Sequence, residues 1–302
     1  MSEPADPLAH RTIPLYQTQG QLYEHKTSLV SVQPLSSLPE ETRALFKPAS
    51  PASQGKDGEA GQEAQNAPEP HVLTVSETIF HAQGGGQPSD TGTMTTATTP
   101  PESGDKAKET TFTVSQVRSL PTGAILHMGF FPSSSPFTPP THLRQAINIP
   151  LRTLHSRLHT AGHVIGLAVN TLIQRGDLPN TIADSKASHY PNAAYVTFTG
   201  SIPSTLAPTI QSTVDEMVAQ DLPVSIFFWD EDRARRECYG VGDGAELKGD
   251  EMGVRVVEMG GKGSYPCGGT HVERLGELAR VVVKGVKRSK GVSRISYDVA
   301  DV

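Results

Sequence analysis

Two short stretches combine metal-binding side chains at regular spacing. RLHTAGH places His159 and His163 four residues apart, and CGGTH places Cys267 and His271 four residues apart. On a helix, residues i and i+4 lie one turn apart on the same face, so both imidazoles of the first pair can reach one ion. In the second pair, two glycines allow a tight turn that brings both side chains to one point. One thiolate and three imidazoles suit tetrahedral Zn²⁺, so the spacing predicts one zinc ion per chain.

Two further residues are candidates for roles in or near this site. His155 lies one further turn back on the same predicted helix edge. It is either a further ligand or proton shuttle, or a residue near the fraying start of the helix. Cys238, the other of the two cysteines, has no histidine in register and is expected to be packed or partly exposed. The histidine pair lacks the glutamate of HExxH, which excludes the usual metalloprotease interpretation.

Composition predicts an intracellular protein without a disulfide framework. The chain has 302 residues, a formal net charge of −6 and only two cysteines, which favours a reducing compartment. The first residues have no basic segment followed by an apolar run, and no 18 apolar residues occur in succession. We therefore expect a cytoplasmic protein that does not contact a membrane. Because the net charge is negative, any nucleic acid must bind to a local basic patch.

The metal-binding stretches fall among helix and strand patterns. A stripe of apolar residues from Leu154 to Leu172 has helical spacing, and Gly176 is a plausible end of that helix. Further helices are predicted at about 204–220 and 230–238, and strands at 193–200, 223–229, 254–259, 277–286 and 292–299. This mixed order favours an α+β domain with a mainly antiparallel sheet.

The N-terminal half is predicted to be a separate β-domain. Strand patterns at 16–35 and 71–80 are separated by a polar, alanine- and proline-rich insertion at about 47–70, and a second insertion covers about 95–110. We predict an α+β protein in which a small β-barrel-like domain, residues 1–142, precedes an α+β domain, residues 143–302. A proline-rich segment, 130–142, is the expected linker.

The two metal-binding stretches, in this order and separation, closely resemble the editing domain of alanyl-tRNA synthetase and free-standing alanyl-tRNA editing proteins. The second additional domain of threonyl-tRNA synthetase is a more distant likeness. Three further motifs are similar to the family: GGGQPSDTG at 84–92, VRVV at 254–257 and SKGVSRISY at 289–297. The chain departs from the family at Gly162, where the family often has a polar residue. No part looks like the catalytic synthetase domain.

The resemblance implies a trans-acting deacylase that hydrolyses the ester between alanine tRNA and a wrong amino acid, chiefly serine and also glycine. Two alternatives stay open: the same reaction on mischarged threonine tRNA, and a zinc-stabilised module that binds RNA or protein without catalysis. Four protein ligands leave a tetrahedral zinc closed, so an orienting and a catalytic role for the ion both remain. A monomer is favoured.

The resemblance also suggests residue roles around the zinc ligands. Thr160 either contacts the substrate or caps the helix, and Gln87 either closes over the editing site or belongs to a glycine-driven hairpin turn. The predicted catalytic residues are His159, Thr160, His163 and Gln87, and the predicted substrate-binding residues are Gly85, Gly86, Lys186 and Ser188. For Lys186 and Ser188, an exposed turn is the alternative.

A basic segment near the end of the sequence is the candidate tRNA-binding region. Residues 280–295 contain six basic and no acidic side chains: Arg280, Lys284, Lys287, Arg288, Lys290 and Arg294. The last five are the predicted tRNA contacts, because clustered cations bind phosphates. The alternative is a charged sheet edge that prevents aggregation.

Overall fold

The structure of the protein is a computed structural model that describes residues 6, 8–46, 68–96, 110–132, 136–138, 141–242, 246–247 and 249–301. Most of the two predicted insertions, about 47–70 and 95–110, lies outside these residues. The chain separates into two compact units. The first comprises Met1–Gln83 and Ser89–Ile149, and the second comprises Gly84–Pro88 and Pro150–Val302.

The first unit is built mainly from strands. Its elements are β1 (Ile13–Pro14), β2 (Glu24–Pro34), α1 (Glu40–Arg43), β3 (His71–Val75), β4 (Glu77–Thr78), β5 (Gly92–Thr96), β6 (Thr111–Ser119), β7 (Ile125–Phe130) and β8 (His142–Ile147). Six of these strands form a closed barrel in the order β2-β3-β7-β6-β5-β8. All six pairings around the barrel are antiparallel.

Strand alternation divides the apolar side chains of the barrel between two clusters. On β3, Leu73 and Val75 belong to the large interior cluster, whereas Val72 belongs to a second cluster with Leu38 and Phe46. Leu38 and Phe46 flank α1, so this segment covers the outer face of the barrel at β3 and β7. Because successive side chains of a strand point to opposite faces, strands with both faces covered lose the apolar–polar alternation.

The second unit combines helices with two antiparallel sheets. Its elements are α2 (Ile149–Gln174), β9 (Ala183–Ser188), β10 (Tyr195–Thr199), α3 (Ala207–Ala219), β11 (Val224–Trp229), α4 (Glu231–Glu237), β12 (Gly249–Asp250), β13 (Gly253–Met259), β14 (Ser264–Pro266), β15 (Arg280–Ser289) and β16 (Val292–Ala300). One sheet has the order β15-β16-β10-β9. The other has the order β11-β13-β12, with β14 pairing to β13.

The long helix α2 is the centre of the second unit. Every residue from Leu158 to Val169 is buried except His163, so the helix is covered nearly all round its middle turns. One hydrophobic cluster contains Ile165 of α2, Phe198 of β10 and Val257 of β13, and thus includes side chains from both sheets. Gly176 ends the helical segment with a φ of 82°, a conformation that glycine adopts without strain.

The structure confirms the α+β fold and the small barrel followed by helices and antiparallel sheets. Strands β7 and β8 were not predicted. Among the described residues, no helix is both long enough and apolar enough to cross a membrane.

Candidate metal centre

The middle of α2 presents two histidines along one line. His159 and His163 are one helical turn apart, and their rings stack with centroids 5.0 Å apart at an interplanar angle of 20°. Burial on the surrounding turns fixes this part of the helix, so both rings are held in place by packing. The helix therefore supplies two imidazoles at a defined separation.

The turn after β14 brings the other two donors to these imidazoles. The Cys267 Sγ lies 3.3 Å from Nε2 of His159 and 3.3 Å from Nε2 of His271. The donor atoms of His159, His163, Cys267 and His271 all lie within 4.8 Å of one another. In a tetrahedron with Zn–S of ~2.3 Å and Zn–N of ~2.0 Å, donors are separated by about 3.3 to 3.5 Å. The four side chains thus form a cluster that could hold one metal ion.

A glycine makes the approach of this turn to α2 possible. A Cβ on Gly269 would overlap Cε1 and Nδ1 of His159 and would lie 2.7 Å from Oε1 of Gln87. Gly269, the second glycine of CGGTH, is therefore required because a side chain there would collide with the ring of His159. This steric reason is additional to the conformational freedom of glycine in a tight turn.

The protonation states of the cluster suit a metal. Burial lowers the pKa of His163 to about 3, with smaller contributions from His189 and Arg255, so the ring is neutral near pH 7. Its Nε2 is buried and has no hydrogen-bond partner among the described residues. Burial also raises the pKa of the Cys267 thiol, while the Arg255 guanidinium and the Gly269 N–H act in the opposite direction. A buried nitrogen lone pair without a partner is costly unless an ion or water binds it, so these residues fit a cation.

Two polar side chains contact the ligating histidines. The Gln87 Oε1 accepts a hydrogen bond from Nδ1 of His159 at 2.7 Å, and the Thr160 Oγ1 lies 3.0 Å from Nδ1 of His271. Because an amide oxygen can only accept, Nδ1 of His159 carries the proton and its Nε2 carries the lone pair that faces the cluster. Gln87 is itself held by Thr270, whose N–H donates to Oε1 at 3.0 Å.

The glycine-rich motif forms the turn that delivers Gln87. Gly84 and Gln87 exchange backbone hydrogen bonds of 3.3 and 2.9 Å, and between them Gly85 and Gly86 have φ values of 55° and 81°. Two successive positive φ values define a tight hairpin turn of the type that requires glycine. The motif is thus a hairpin turn, and its glutamine contacts the metal cluster.

A fourth imidazole, which sequence analysis missed, stacks against the cluster. His189 lies with its ring centroid 4.2 Å from that of His159, and the Tyr297 hydroxyl lies 2.6 Å from its Nδ1. Tyr297 donates its own proton to the Leu158 carbonyl at 2.9 Å, so Nδ1 of His189 is the donor to the hydroxyl and Nε2 is left as an acceptor. No described residue hydrogen-bonds to that Nε2.

His189 also explains the departure from the family at Gly162. A Cβ on Gly162 would lie 2.5 Å from Cε1 of His189 and 2.7 Å from the Tyr297 hydroxyl. The space beside α2 that a polar side chain would need is therefore filled by His189. Its position directly after the predicted substrate-binding residues Lys186 and Ser188 was the available signal in the sequence.

The other predicted residues lie away from the ligand group. Lys186 is exposed and Ser188 is half-buried on β9, and neither is in the cluster. His155 is buried in the second turn of α2 and is not one of the grouped donors. Cys238 packs beside Trp229, and burial raises its pKa to about 11. The predicted tRNA contacts Lys284, Lys287, Arg288, Lys290 and Arg294 are all exposed on β15, β16 and the turn between them.

Comparison with known proteins gives consistent matches. Residues 254–296 match the family model of the threonyl and alanyl tRNA synthetase second additional domain. An alanine–tRNA ligase of Haloquadratum walsbyi is 27% identical over 233 residues, which cover 76% of this chain and 23% of the relative. An alanine–tRNA ligase of Salinispora tropica is 30% identical over 226 residues, 74% of this chain and 23% of the relative. The chain thus spans less than a quarter of the length of these relatives.

Proposed function

We propose, from the premise that this chain belongs to the alanyl-tRNA editing domain family, that it is a deacylase of mischarged alanine tRNA. The substrate would be the ester that joins a wrong amino acid, chiefly serine and secondarily glycine, to the terminal ribose. The family relationship supports an editing role in translation, and the chemistry of the cluster supports hydrolysis.

The observation that carries the proposal is that four metal donors converge. Two of them lie in residues 254–296, which match the family model, and two lie on α2. Their donor atoms all lie within 4.8 Å of one another, and the buried Nε2 of His163 has no described partner. Three imidazoles and one thiolate are a ligand set typical of zinc. We therefore expect His159, His163, Cys267 and His271 to hold one Zn²⁺.

Hydrolysis adds water across the ester: the water oxygen joins the carbonyl carbon, and the ribose oxygen leaves with a proton. When bound, zinc supplies Lewis acidity, which polarises an oxygen of the substrate or of water. Gln87 keeps His159 in the ligating tautomer, and the Thr160 hydroxyl bonds to Nδ1 of His271, so we assign both residues a positioning role. Gly85 and Gly86 shape the turn that presents Gln87, and we assign them this role in the proposed site.

His189 is the residue that we expect to orient the attacking water or the substrate amino group. Its Nε2 is an acceptor beside His159, and its ring is fixed by Tyr297 through Nδ1. A fixed acceptor raises the fraction of time that a water is directed at the ester carbonyl. His189→Phe keeps a flat ring but removes Nε2, so we expect deacylation to fall about 100-fold with zinc content unchanged.

The test is ester loss from alanine tRNA charged separately with serine, glycine and alanine, and from threonine tRNA charged with serine. The proposal expects rapid loss of the seryl ester from alanine tRNA and sparing of the alanyl ester. Faster loss from threonine tRNA would assign the substrate to that tRNA instead. Binding of mischarged tRNA without any change in ester half-life would make the protein a binding module.

A further inference from the structure

The sheet β15-β16-β10-β9 carries a line of side chains that crosses all four strands on one face. Thr197 of β10 is paired with Arg294 of β16, and Arg294 is paired with Lys287 of β15. On the other side, Thr197 bonds through its hydroxyl to the backbone of Lys186 on β9. We define these four residues, Lys186, Thr197, Arg294 and Lys287, as the cation row.

The cation row lies on the face of the sheet that turns away from α2. Lys186, Arg294 and Lys287 are exposed, whereas the alternate residues Phe198 and Ile295 are buried in the hydrophobic cluster that includes α2. Neighbouring strands are about 4.8 Å apart, so the backbones of β9 and β15 are about 14 Å apart along the row. The row is long enough to contact several groups of an extended ligand.

The charges of the row are not neutralised by the protein. None of its three cations forms an ion pair with a described residue, and the row contains no carboxylate. By contrast, Lys284 is bound to Asp298 at 2.7 Å and is thus already paired. Arg288 is paired with the buried Ser293, and its guanidinium donates a hydrogen bond to the Ser201 hydroxyl. Its side chain therefore leaves the strand on the opposite face of the sheet from the cation row.

Two contacts hold the row in shape. The guanidinium of Arg294 lies over the ring of Tyr195, 3.6 Å from its centroid. The Thr197 hydroxyl donates to the Lys186 carbonyl and accepts from its N–H, both at 2.9 Å. Fixing the strand and the guanidinium before binding reduces the entropy lost on association.

We propose that the cation row binds the phosphodiester backbone of the tRNA. Cations that are spaced along a sheet and form no ion pairs with described residues complement a chain of phosphates. Such contacts do not distinguish one base sequence from another. Lys186, at the β9 end of the row, is three residues before His189, whose ring stacks on that of the metal-ligand candidate His159. This inference rests on the proposed function. It assigns phosphate binding to three cations from three strands, in place of the contiguous basic segment 280–295 that the sequence predicted.

The test measures binding of uncharged alanine tRNA over a range of salt concentrations. The triple variant Lys186→Gln, Lys287→Gln, Arg294→Gln is compared with a control triple variant, Arg233→Gln, Arg235→Gln, Arg274→Gln. The control removes the same charge from residues that are ion-paired with Glu237, Glu231 and Asp221. Bound zinc in both variants reports that the second unit is folded.

Each phosphate contact contributes about 0.7 to 0.9 to the slope of log binding constant against log salt. The row variant should therefore lose about 2 from the slope, and the control should lose little. With seryl-tRNA as substrate, the row variant should raise KM and leave kcat unchanged.

Equal slopes and equal affinities in the two triple variants would overturn the proposal, as would wild-type protein that does not bind tRNA. Failure of the proposed function has a different signature. Wild-type protein would then bind tRNA with the full slope while every ester survived.

Discussion

Both units of the protein bury histidines, but the polar surroundings of those histidines differ. In the barrel, His127 hydrogen-bonds through Nε2 to the Thr78 hydroxyl at 2.8 Å and through Nδ1 to the Leu73 carbonyl at 3.2 Å. In the second unit, Nε2 of His163 is buried without a described partner and faces a cysteine and two more imidazoles. Burial lowers the pKa of both rings, to about 4 for His127 and about 3 for His163.

The difference separates a structural histidine from a ligand. A low pKa follows from burial in either place, so the pKa does not identify a functional site. The hydrogen bonding of the ring nitrogens does identify such a site, because a buried polar atom without a partner costs about 1 to 3 kcal/mol unless something binds it. His127 belongs to a network with Thr78 and Gln145 in which both of its ring nitrogens are bonded, whereas Nε2 of His163 has no described partner.

The largest expected effect comes from removing the thiolate. Cys267→Ala should strongly lower both zinc affinity and seryl ester hydrolysis, because the only anionic ligand is lost and three neutral imidazoles remain. Metal analysis of the purified variants measures this directly. Cys238→Ala is the matched control, since its half-buried thiol packs beside Trp229 and outside the donor cluster, and it should retain one zinc per chain. Equal zinc content in the two variants would show that Cys267 is not a ligand.

The barrel histidine should make stability depend on pH. Between pH 6.5 and pH 4 the unfolded chain binds a proton at His127 that the folded barrel does not, so stability falls as pH falls. From pH 7 to pH 5 this site should remove about 2 kcal/mol from the opening free energy. Hydrogen exchange of the β7 amides, corrected for intrinsic rates, measures it. His127→Gln should lack this contribution, and an unchanged pH profile in that variant would contradict the assignment.

A smaller effect is expected at the residue that orients His159. Gln87→Ala removes the acceptor of its Nδ1 proton and should weaken zinc affinity or activity by about 10- to 100-fold. Competition with a chelator gives the affinity. Gln83→Ala lies before the glycine turn, outside the second unit, and serves as the control. If both variants release zinc alike, Gln87 does not orient the ligand.

The sequence predicted the ligand residues because their spacing is local and periodic. The pairs of i, i+4 residues in RLHTAGH and CGGTH need only a helix and a turn, and α2 follows from its apolar stripe. Local patterns also place Gly176 at the end of that helical segment, where its φ is positive.

Other features depend on contacts that no local pattern contains. β7 was missed because Leu126 and Met128 are buried on its outer face, so the strand does not alternate. β8 was missed because Gln145 occupies an inward position and is bonded to the Ile79 N–H at 3.1 Å. His189 and the cation row depend on long-range register: Lys186 and Lys287 are a hundred residues apart and lie on one line of the sheet.

The most direct test of the central claim is ester loss from seryl-tRNA specific for alanine, before zinc removal, after it, and after zinc is restored. The account predicts fast hydrolysis, loss of hydrolysis with the metal, and recovery with one equivalent of zinc. Recovery should not occur in Cys267→Ala. Hydrolysis that continues at the same rate without the metal would contradict the claim that the four converging ligands form the working site.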